Sequence, residues 1–277
     1  MPAGRAGRAL TLLHDRRMPL RRAVSAARAK LAHYAALREL TPDHGRLALR
    51  KLIKRYYVMP LWLRTRSGLS VYMSEDPLDD LALEATLQTK AHVYFPPLPW
   101  ATDGGLFVDL GAWHGFYTLE VLRRYPGARI VAVEPDSWNC ALLRRNLAAN
   151  GFTDRAQVIE AAVGSSEGFG RLVRSGNTMQ HRLVEDGQPG SGIRVVGPRG
   201  VVGDAQPLVV KCNAEGAEFS FFPQLFRLGR RPRLIIVEVH AAYGDTDALL
   251  AVFRQSGYSV SLADRLPHGA WFHCWLT

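Results

Sequence analysis

The chain has 277 residues, of which 47% are hydrophobic and 22% are charged, and it carries a formal net charge of +10. This length and composition allow a large buried core and are ordinary for a globular protein of one or two domains. No apolar run approaches the ~20 residues that span a bilayer, the N-terminus lacks the apolar core of a signal peptide, and the three cysteines form neither a disulfide framework nor a metal-binding pattern. We therefore expect a cytoplasmic protein that works in a reducing compartment.

The positive charge is concentrated at the N-terminus. Residues 1–66 contain 16 of the 35 Lys and Arg side chains and three acids, which gives this segment +13 and leaves −3 on the remainder. We interpret it as a basic helical extension, with a helical pattern over residues 1–57, in front of a main domain at 67–277. The apolar face predicted for its last helix consists of Leu47, Leu49, Leu52 and Ile53. The extension contacts an anionic surface such as a membrane or nucleic acid, or it is a helical arm that packs on the core or on a second copy with its charges in water. We favour the arm, because runs of charged residues usually face water.

The next elements lead to a glycine-rich turn. Ser67–Met73 alternates enough to form a strand, and Pro77–Gln88 is predicted to be a helix. Phe107–Leu119, with the sequence FVDLGAWHGFYTL, predicts a short buried strand, a turn framed by Gly111 and Gly115, and the start of a helix. Glycines let the backbone approach a ligand, and free N–H groups at a helix N-terminus face it. The segment therefore predicts a cradle for a nucleotide-type cofactor.

An acid at the end of the second core strand narrows the choice of cofactor. Glu134 ends RIVAVEP about 20 residues after the glycines, where a carboxylate can bind two ribose hydroxyls. Trp113 occupies the position of the second glycine of a dinucleotide-binding turn, and its indole leaves no seat for a pyrophosphate. The pattern D-x-G-x-x-x-G thus favours S-adenosyl-L-methionine, which contains no phosphate. A purely structural turn with incidental glycines is the alternative.

The elements after this strand continue to alternate. Ser137 can cap a helix over Trp138–Ala149, and Ala156–Val163 is predicted to be the third strand, with Ala161 near its end beside the adenine. Residues 164–206 break the alternation and predict hairpins and loops instead of a plain crossover helix. Long insertions of this kind often carry substrate contacts, although a surface loop without function is equally compatible with the pattern.

The last part of the chain completes the predicted sheet. Pro207–Lys211 and Arg233–His240 are apolar enough to be buried strands, with an aromatic-rich helix between them. A helix over Asp245–Gln255 and two closely spaced strands close the chain. Because strands and helices alternate, we expect an α/β fold with a mostly parallel, doubly wound sheet and a terminal hairpin.

Three motifs together resemble the FkbM-type S-adenosylmethionine-dependent methyltransferases over roughly Ser67–Thr277. They are VDLGAWHGFYT at Val108–Thr118, VEPD at Val133–Asp136, and KCNAEGAE at Lys211–Glu218, followed by the strand IIVEVH. The resemblance implies a Rossmann-like class I methyltransferase with a mostly parallel seven-stranded sheet and one antiparallel strand. It also implies methyl transfer to a hydroxyl of a sugar, glycolipid or secondary metabolite. The cofactor-binding residues it implies are Asp109, Gly111, Ala112, Gly115, Tyr117, Thr118, Glu134, Pro135 and Ala161.

Two positions depart from the family pattern. Trp113 replaces the usual Asn of the cofactor loop, which alters how the amino-acid end of the cofactor is held. Asn213 replaces the signature Asp and cannot act as a carboxylate base or an anionic ligand. His114, inside the loop, is interpreted as a cofactor-shell or packing residue.

The predicted catalytic groups follow two neighbouring strands. Glu215, Glu238 and His240 lie at or just after the ends of strands whose carboxyl edges face the ligand crevice in an open α/β sheet. Our hypothesis is that His240 or Glu215 deprotonates the acceptor hydroxyl while Glu238 orients it. Asn213, Glu215 and Glu238 could instead hold Mg²⁺, but the amide lacks the charge that a hard cation prefers, so no metal is predicted.

Two other functions remain open on sequence grounds. A nucleic-acid methyltransferase guided by the basic extension is one, although the four residues from Asn213 are NAEG, without the proline or stacking aromatic of amino-methylating enzymes. The other is a non-catalytic cofactor-binding partner protein. We expect a small-molecule or glycan acceptor and no nucleic acid, and we leave open peripheral membrane contact through the extension and homo-oligomer formation.

Overall fold

The structure is a computed structural model that describes residues 32, 35–54, 56–102, 104–174, 181–185 and 192–277. The rest of the predicted helical segment at 1–57 lies outside these residues. Among the helices in the described ranges, none is long and apolar enough to cross a membrane.

The N-terminal part is packed onto the domain. Helix α1 is described over 35–40 and is followed by α2, His44–Ile53, and by a hairpin of β1, Leu61–Arg64, and β2, Ser70–Met73. Leu37, Leu40 and Leu47 join a core cluster that also contains residues of the main sheet. The boundary predicted between residues 66 and 67 falls inside this hairpin, so the division into an extension and a domain stays a prediction.

The apolar face predicted for α2 is wrong in detail. Leu47 is buried, but Leu49 and Leu52 are 49% and 77% exposed, while Arg50 is completely buried. The helix turns a guanidinium toward the interior because buried acids of the next helix lie there. That helix, α3, spans Asp79–Glu84 and continues as a π-helical turn over Ala85–Thr89 and a short α4 over Ala91–Tyr94.

The main sheet has seven strands in the order β12-β13-β11-β10-β3-β4-β5. Their bounds are β3 Leu106–Leu110, β4 Arg129–Glu134, β5 Ala156–Glu160, β10 Val209–Cys212, β11 Leu234–His240, β12 Tyr258–Leu266 and β13 Gly269–Leu276. β13 pairs antiparallel with both β11 and β12, whereas the other pairs are parallel. The predicted mostly parallel seven-stranded sheet with one antiparallel strand is confirmed.

Helices cover both faces of this sheet. They are α5 Phe116–Arg124, α6 Ser137–Ala149, α8 Glu218–Arg227 and α9 Thr246–Gln255. Alternate residues of the strands point to opposite faces, so Phe107 packs in the cluster with Leu119 of α5, and Val108 packs in the cluster with Phe222 of α8. The cap of α6 is Asp136 and not the predicted Ser137, since the Asp136 carboxylate accepts from the first backbone N–H groups of the helix.

The insertion forms a second, smaller sheet. Its strands β7 Gly168–Arg174, β8 His181–Glu185 and β9 Ile193–Val196 form this sheet together with β6 Ala162–Val163, which precedes the insertion. The strand order is β6-β9-β7-β8, and α7 Pro198–Val202 follows. The hairpins predicted within 164–206 are confirmed. The predicted single strand at Ala156–Val163 is wrong, because the chain leaves the main sheet after Glu160 and pairs with β9 from Ala162 onward.

Candidate active site

The turn after β3 is shaped by close approaches. Gly111 has φ +73°, and a Cβ placed on it would lie 1.9 Å from the backbone oxygen of Asn213. Gly115 has φ +85°, and its Cβ would lie 2.1 Å from Cδ1 of Leu143. Both glycines are therefore required by the left-handed backbone and by the neighbouring chain, and the turn sits directly against the segment that follows β10.

A buried ion pair beneath the turn fixes its position. Nζ of Lys211 lies 2.9 Å from Oδ1 of Asp109 and donates to the backbone oxygen of Gly111 at 2.8 Å. The hydroxyl of Thr118 donates to Oδ2 of Asp109 at 2.7 Å, and Tyr117 is buried beside them. These side chains lie beneath the turn and support it. That Asp109, Tyr117 and Thr118 belong to the cofactor site stays a prediction.

Lys211 is part of the KCNAEGAE motif, but no role was predicted for it. The sequence does indicate this role, because a lysine in an otherwise apolar strand, beside a strand with one buried aspartate, predicts a buried ion pair. β10 and β3 are adjacent, and Lys211 and Asp109 are register partners. The pair ties the two strands that carry the cofactor turn and the acidic segment.

Glu134 ends β4 at the predicted place and is held in one orientation. Its Oε1 accepts from the backbone N–H of Asp136 at 3.1 Å and from Nδ2 of Asn139 at 3.0 Å, and its Oε2 accepts from the backbone N–H of Trp113 at 2.9 Å. Burial raises the pKa of Glu134, and these hydrogen bonds oppose that shift. Each carboxylate oxygen has two lone pairs, so Oε2 retains capacity for a further donor such as a ribose hydroxyl.

The side chains around Glu134 suit an adenosine-type ligand. Trp113 has φ +49°, stacks on His114 with ring centroids 4.0 Å apart, and contributes a buried indole Nε1 that finds no acceptor among the described residues. Pro135 is half-buried next to Glu134, and the backbone N–H of Ala161 donates to the backbone oxygen of Glu134 at 3.1 Å. The predicted residues Ala112, Pro135 and Ala161 thus border the end of β4. The carboxylate of Glu134 and the indole N–H of Trp113 are the groups there that S-adenosylmethionine could engage.

A second cluster lies at the carboxyl ends of β10 and β11. Nε2 of His240 is 3.4 Å from Oε1 of Glu215 and 3.7 Å from Oε1 of Glu238. Nδ1 of His240 is 3.0 Å from Oε1 of Glu218, which also accepts the backbone N–H of His240 at 2.8 Å. The structure therefore brings all three predicted catalytic residues together and adds Glu218, whose role sequence reasoning did not assign.

The charges of this cluster change the expected role of His240. Burial lowers the pKa of His240, but the hydrogen bonds and charges of Glu215 and Glu218 outweigh burial and raise it to about 10. At neutral pH the ring is an imidazolium with both nitrogens facing carboxylates, so the expectation that His240 removes a proton does not fit this geometry. Burial raises the pKa of Glu238, opposed mainly by the charge of His240, which favours this carboxylate as a proton acceptor.

Backbone strain concentrates in the same segment. Glu215 has φ +46°, and Gly216 has φ +101°, where a side-chain Cβ would lie 2.9 Å from Cβ of Tyr243. A non-glycine residue in the left-handed region is uncommon and often marks a functional site. Oε2 of Glu218 accepts the backbone N–H of Gly216 at 2.9 Å and stabilises this bend. Within the described part of the chain, no group of three His, Cys, Asp or Glu residues is arranged to hold a metal ion.

The sheet order, the antiparallel β13 and the turn-and-acid arrangement at β3 and β4 define a Rossmann-like class I methyltransferase. A family model described as the methyltransferase FkbM domain matches residues 109–260, more than half of the chain. The protein therefore belongs to the FkbM methyltransferase family, and the matched region is an S-adenosyl-L-methionine-dependent methyltransferase domain.

Two known proteins resemble this chain over part of its length. The crystal structure of the methyltransferase FkbM from Methylobacillus flagellatus KT superimposes with a TM-score of 0.50 at 21% identity, covering 68% of this chain and 48% of that one. The type II methyltransferase M.XamI of Xanthomonas campestris pv. amaranthicola is 37% identical over 102 residues, 35% of this chain and 19% of the relative. The chain thus spans about half of the first protein and about a fifth of the second. The structural likeness supports the fold, and neither relative assigns an acceptor to this protein.

Proposed function

We propose that the enzyme methylates a hydroxyl group of a small-molecule or glycan acceptor and that a carboxylate beside His240 accepts the hydroxyl proton. The observation that carries this proposal is the convergence of Glu215, Glu218 and Glu238 on the His240 ring. When bound, S-adenosylmethionine supplies an electrophilic methyl group on a sulfonium. An alcohol is a weak nucleophile, so the protein must align it and take its proton.

The base is assigned by elimination within the cluster. His240 has no ring nitrogen free to accept a proton, because each nitrogen faces a carboxylate. Glu218 is completely buried and is committed to backbone N–H groups as well as to His240. Glu215 and Glu238 keep partly exposed side chains, and burial raises the pKa of Glu238, which makes this carboxylate a stronger base than an ordinary glutamate. We therefore assign Glu238 as the base and Glu215 as its partner in orienting the hydroxyl.

Asn213 fits this assignment. An amide cannot take up a proton at neutral pH, so the position that is Asp in the family pattern has a positioning role here. Its backbone N–H donates to the backbone oxygen of Leu110 at 2.9 Å, and its backbone oxygen lies against Gly111. Asn213 thus links the cofactor turn to the strained Glu215.

The residues that would hold the cofactor lie around the end of β4. Glu134 would bind a ribose hydroxyl through Oε2, its less occupied oxygen. The unused indole N–H of Trp113 would donate to the amino-acid end, in place of the Asn of the family pattern. Pro135 and Ala161 would border the adenine. Trp113, at the position of the second glycine of a dinucleotide-binding turn, argues against a dinucleotide in this site.

The test is methyl transfer from isotopically labelled S-adenosylmethionine to a panel of free sugars, oligosaccharides, glycolipids and hydroxylated small molecules, with mass spectrometry of the product. Glu238→Gln should lower kcat by about 10²–10⁴, the usual range for a general base, and should leave S-adenosylhomocysteine affinity within about threefold. Asp204→Asn is the matched control, because this fully exposed carboxylate pairs with Arg230, away from the cluster. Full turnover by both Glu238→Gln and Glu215→Gln would contradict the assignment.

Oligonucleotides are added to the panel as a separate group of acceptors, to test the alternative of a nucleic-acid methyltransferase. The NAEG sequence that begins at Asn213 offers no aromatic platform for an extruded base. Label on a nucleobase nitrogen, with none on hydroxyl acceptors, would replace the present proposal with a nucleic-acid methyltransferase.

A further inference from the structure

A continuous chain of buried polar side chains connects α2 to the acid at the end of β4. It starts at Arg50, whose Nε donates to Oδ1 of Asp80 at 2.7 Å and whose Nη2 lies 4.0 Å from Oδ2 of Asp79. The same guanidinium donates to the backbone oxygens of Ser74 and Asp76, each at 2.7 Å. Every nitrogen of the guanidinium therefore has an acceptor, and the position of Asp79 is fixed from the N-terminal side.

The chain continues through three side chains toward the cofactor site. Oδ1 of Asp79 is 2.5 Å from Nδ1 of His114, Nε2 of His114 is 3.0 Å from Oδ1 of Asn139, and Nδ2 of Asn139 donates to Oε1 of Glu134 at 3.0 Å. Each of these residues is at most 5% exposed. A buried network is rigid when its members are hydrogen-bonded to one another, and the three links from Asp79 to Glu134 are all hydrogen bonds, whereas Arg50 meets Asp79 in an ion pair.

The direction of each hydrogen bond follows from the chemistry of the partners. A carboxylate only accepts, so Asn139 must present its amide N–H to Glu134 and its amide oxygen to His114. The ring of His114 must then donate from Nε2, while its Nδ1 faces the carboxylate of Asp79. Reversing the Asn139 amide would turn its oxygen toward the Glu134 carboxylate and break the bond between them. The chain therefore specifies a single orientation for the group that contacts Glu134.

This orientation determines which oxygen of Glu134 is available. Oε1 is occupied by Asn139 and by the backbone N–H of Asp136, whereas Oε2 accepts from the backbone N–H of Trp113. Without Asn139 the carboxylate could rotate and lose the bond to Trp113. We propose that Asp79, His114 and Asn139, anchored by Arg50, form a positioning relay that holds Glu134 ready for the ribose of the cofactor. The relay rests on the proposed ribose contact of Glu134 and gives the N-terminal segment a part in cofactor binding.

The relay predicts a specific loss of ribose recognition. The probes are S-adenosylhomocysteine and its 2′-deoxy analogue, measured by titration calorimetry on the full chain. Wild type should prefer the hydroxylated ligand by about tenfold or more, as expected when a buried acceptor loses its donor. Asn139→Ala should weaken S-adenosylhomocysteine by about tenfold and reduce this preference to within about twofold. The preference is a ratio within one variant, so partial unfolding does not change it.

The matched control is Asn150→Ala. Asn150 lies in the turn after α6 and also uses its whole amide, with Oδ1 accepting from the backbone N–H of Ser70 and Nδ2 donating to the backbone oxygen of Ser70. These bonds lead to β2 and not to the acid at the end of β4. This variant should keep both the affinity and the preference. In a Glu134→Ala background, Asn139→Ala should cause no further loss, because the relay acts only through Glu134.

The outcomes separate the relay from the cofactor assignment. If Glu134→Ala abolishes the preference but Asn139→Ala keeps it, the relay is overturned while the ribose contact stands. An equal loss for Asn139→Ala with and without Glu134 also overturns the relay, since it then acts by another route. If Glu134→Ala leaves the preference unchanged, the ribose contact and the relay both fail.

Discussion

The most direct consequence of the acidic cluster is an alkaline loss of stability that His240 causes. The fold raises the pKa of His240 from its ordinary 6.5 to about 10. A raised pKa means that the folded state binds the proton more tightly, so the stabilisation is complete below pH 6.5 and is lost as the pH rises toward 10. Linkage gives a slope of about 1.4 kcal/mol per pH unit inside this window. Urea unfolding at a series of pH values measures it.

His240→Gln removes the titrating group, so wild type should exceed the variant in unfolding free energy near neutral pH and lose that advantage with rising pH. His273→Gln is the matched control with the opposite sign. Burial lowers the pKa of His273, whose Nε2 donates to the backbone oxygen of Val93 at 2.7 Å. Its contribution is therefore present above pH 6.5 and is lost on the acid side. Parallel stability curves for wild type and His240→Gln between neutral pH and 10 would refute the assignment of an imidazolium.

Two further variants test the cofactor turn. Gly111→Ala should lose S-adenosylhomocysteine binding, because the new Cβ would lie 1.9 Å from the backbone oxygen of Asn213. Gly151→Ala is the control, since Gly151 has a similar φ of +69° but no atom within 4 Å of the new Cβ. It should keep binding, although both variants pay the backbone cost of about 1–2 kcal/mol for a left-handed alanine. Lys211→Met should lower the unfolding free energy by about 3–5 kcal/mol, because Asp109 would be left buried without its cation. Denaturation and calorimetry on the same samples check both, and wild-type stability of Lys211→Met would contradict a structural ion pair.

The parts of the fold that the sequence predicted are those with a local cause. The strand, turn and helix at Phe107–Leu119 follow from a short apolar run, two glycines that need positive φ and an uninterrupted helical segment, and the structure has them in place. The position of Glu134 follows from the length of one helix and one strand. The close spacing of the last two strands predicted their antiparallel hairpin, whereas the antiparallel pairing of β13 with β11 came from the family resemblance.

The parts that the sequence did not predict depend on residues far apart in the chain. Arg50 is buried because Asp79 and Asp80, about 30 residues later, pair with it in the interior. The hydrophobic periodicity of α2 cannot predict this burial, because it depends on residues outside the helix. The break after Glu160 depends in the same way on β9, which offers Ala162 a new partner from more than 30 residues downstream. Local pattern cannot show either event.

The protonation of His240 could not be predicted from the sequence for a related reason, and its catalytic role stays a prediction. Its position at the end of β11 was correct. Its protonation depends on Glu218, which begins α8, the helix that follows β10. The carboxylate of Glu218 reaches both the backbone N–H and Nδ1 of His240. A histidine at a strand end can be a base only when one nitrogen is unoccupied, and that condition is a property of the tertiary structure.

If the cluster is the acceptor site, as proposed, its charge also limits the acceptor. Glu215, Glu218 and Glu238 outnumber His240, and the neighbouring cation Lys211 is already paired with Asp109. The acceptor side of the site is therefore negative, which attracts a sulfonium and repels an acceptor with a phosphate or carboxylate next to its hydroxyl. An uncharged or cationic acceptor meets no such repulsion, and proton transfer to Glu238 lowers the negative charge as the hydroxyl oxygen becomes the nucleophile. If the proposed function is right, these electrostatics favour neutral sugars and amino-alcohols over phosphorylated acceptors, a narrower class than the family resemblance alone implies.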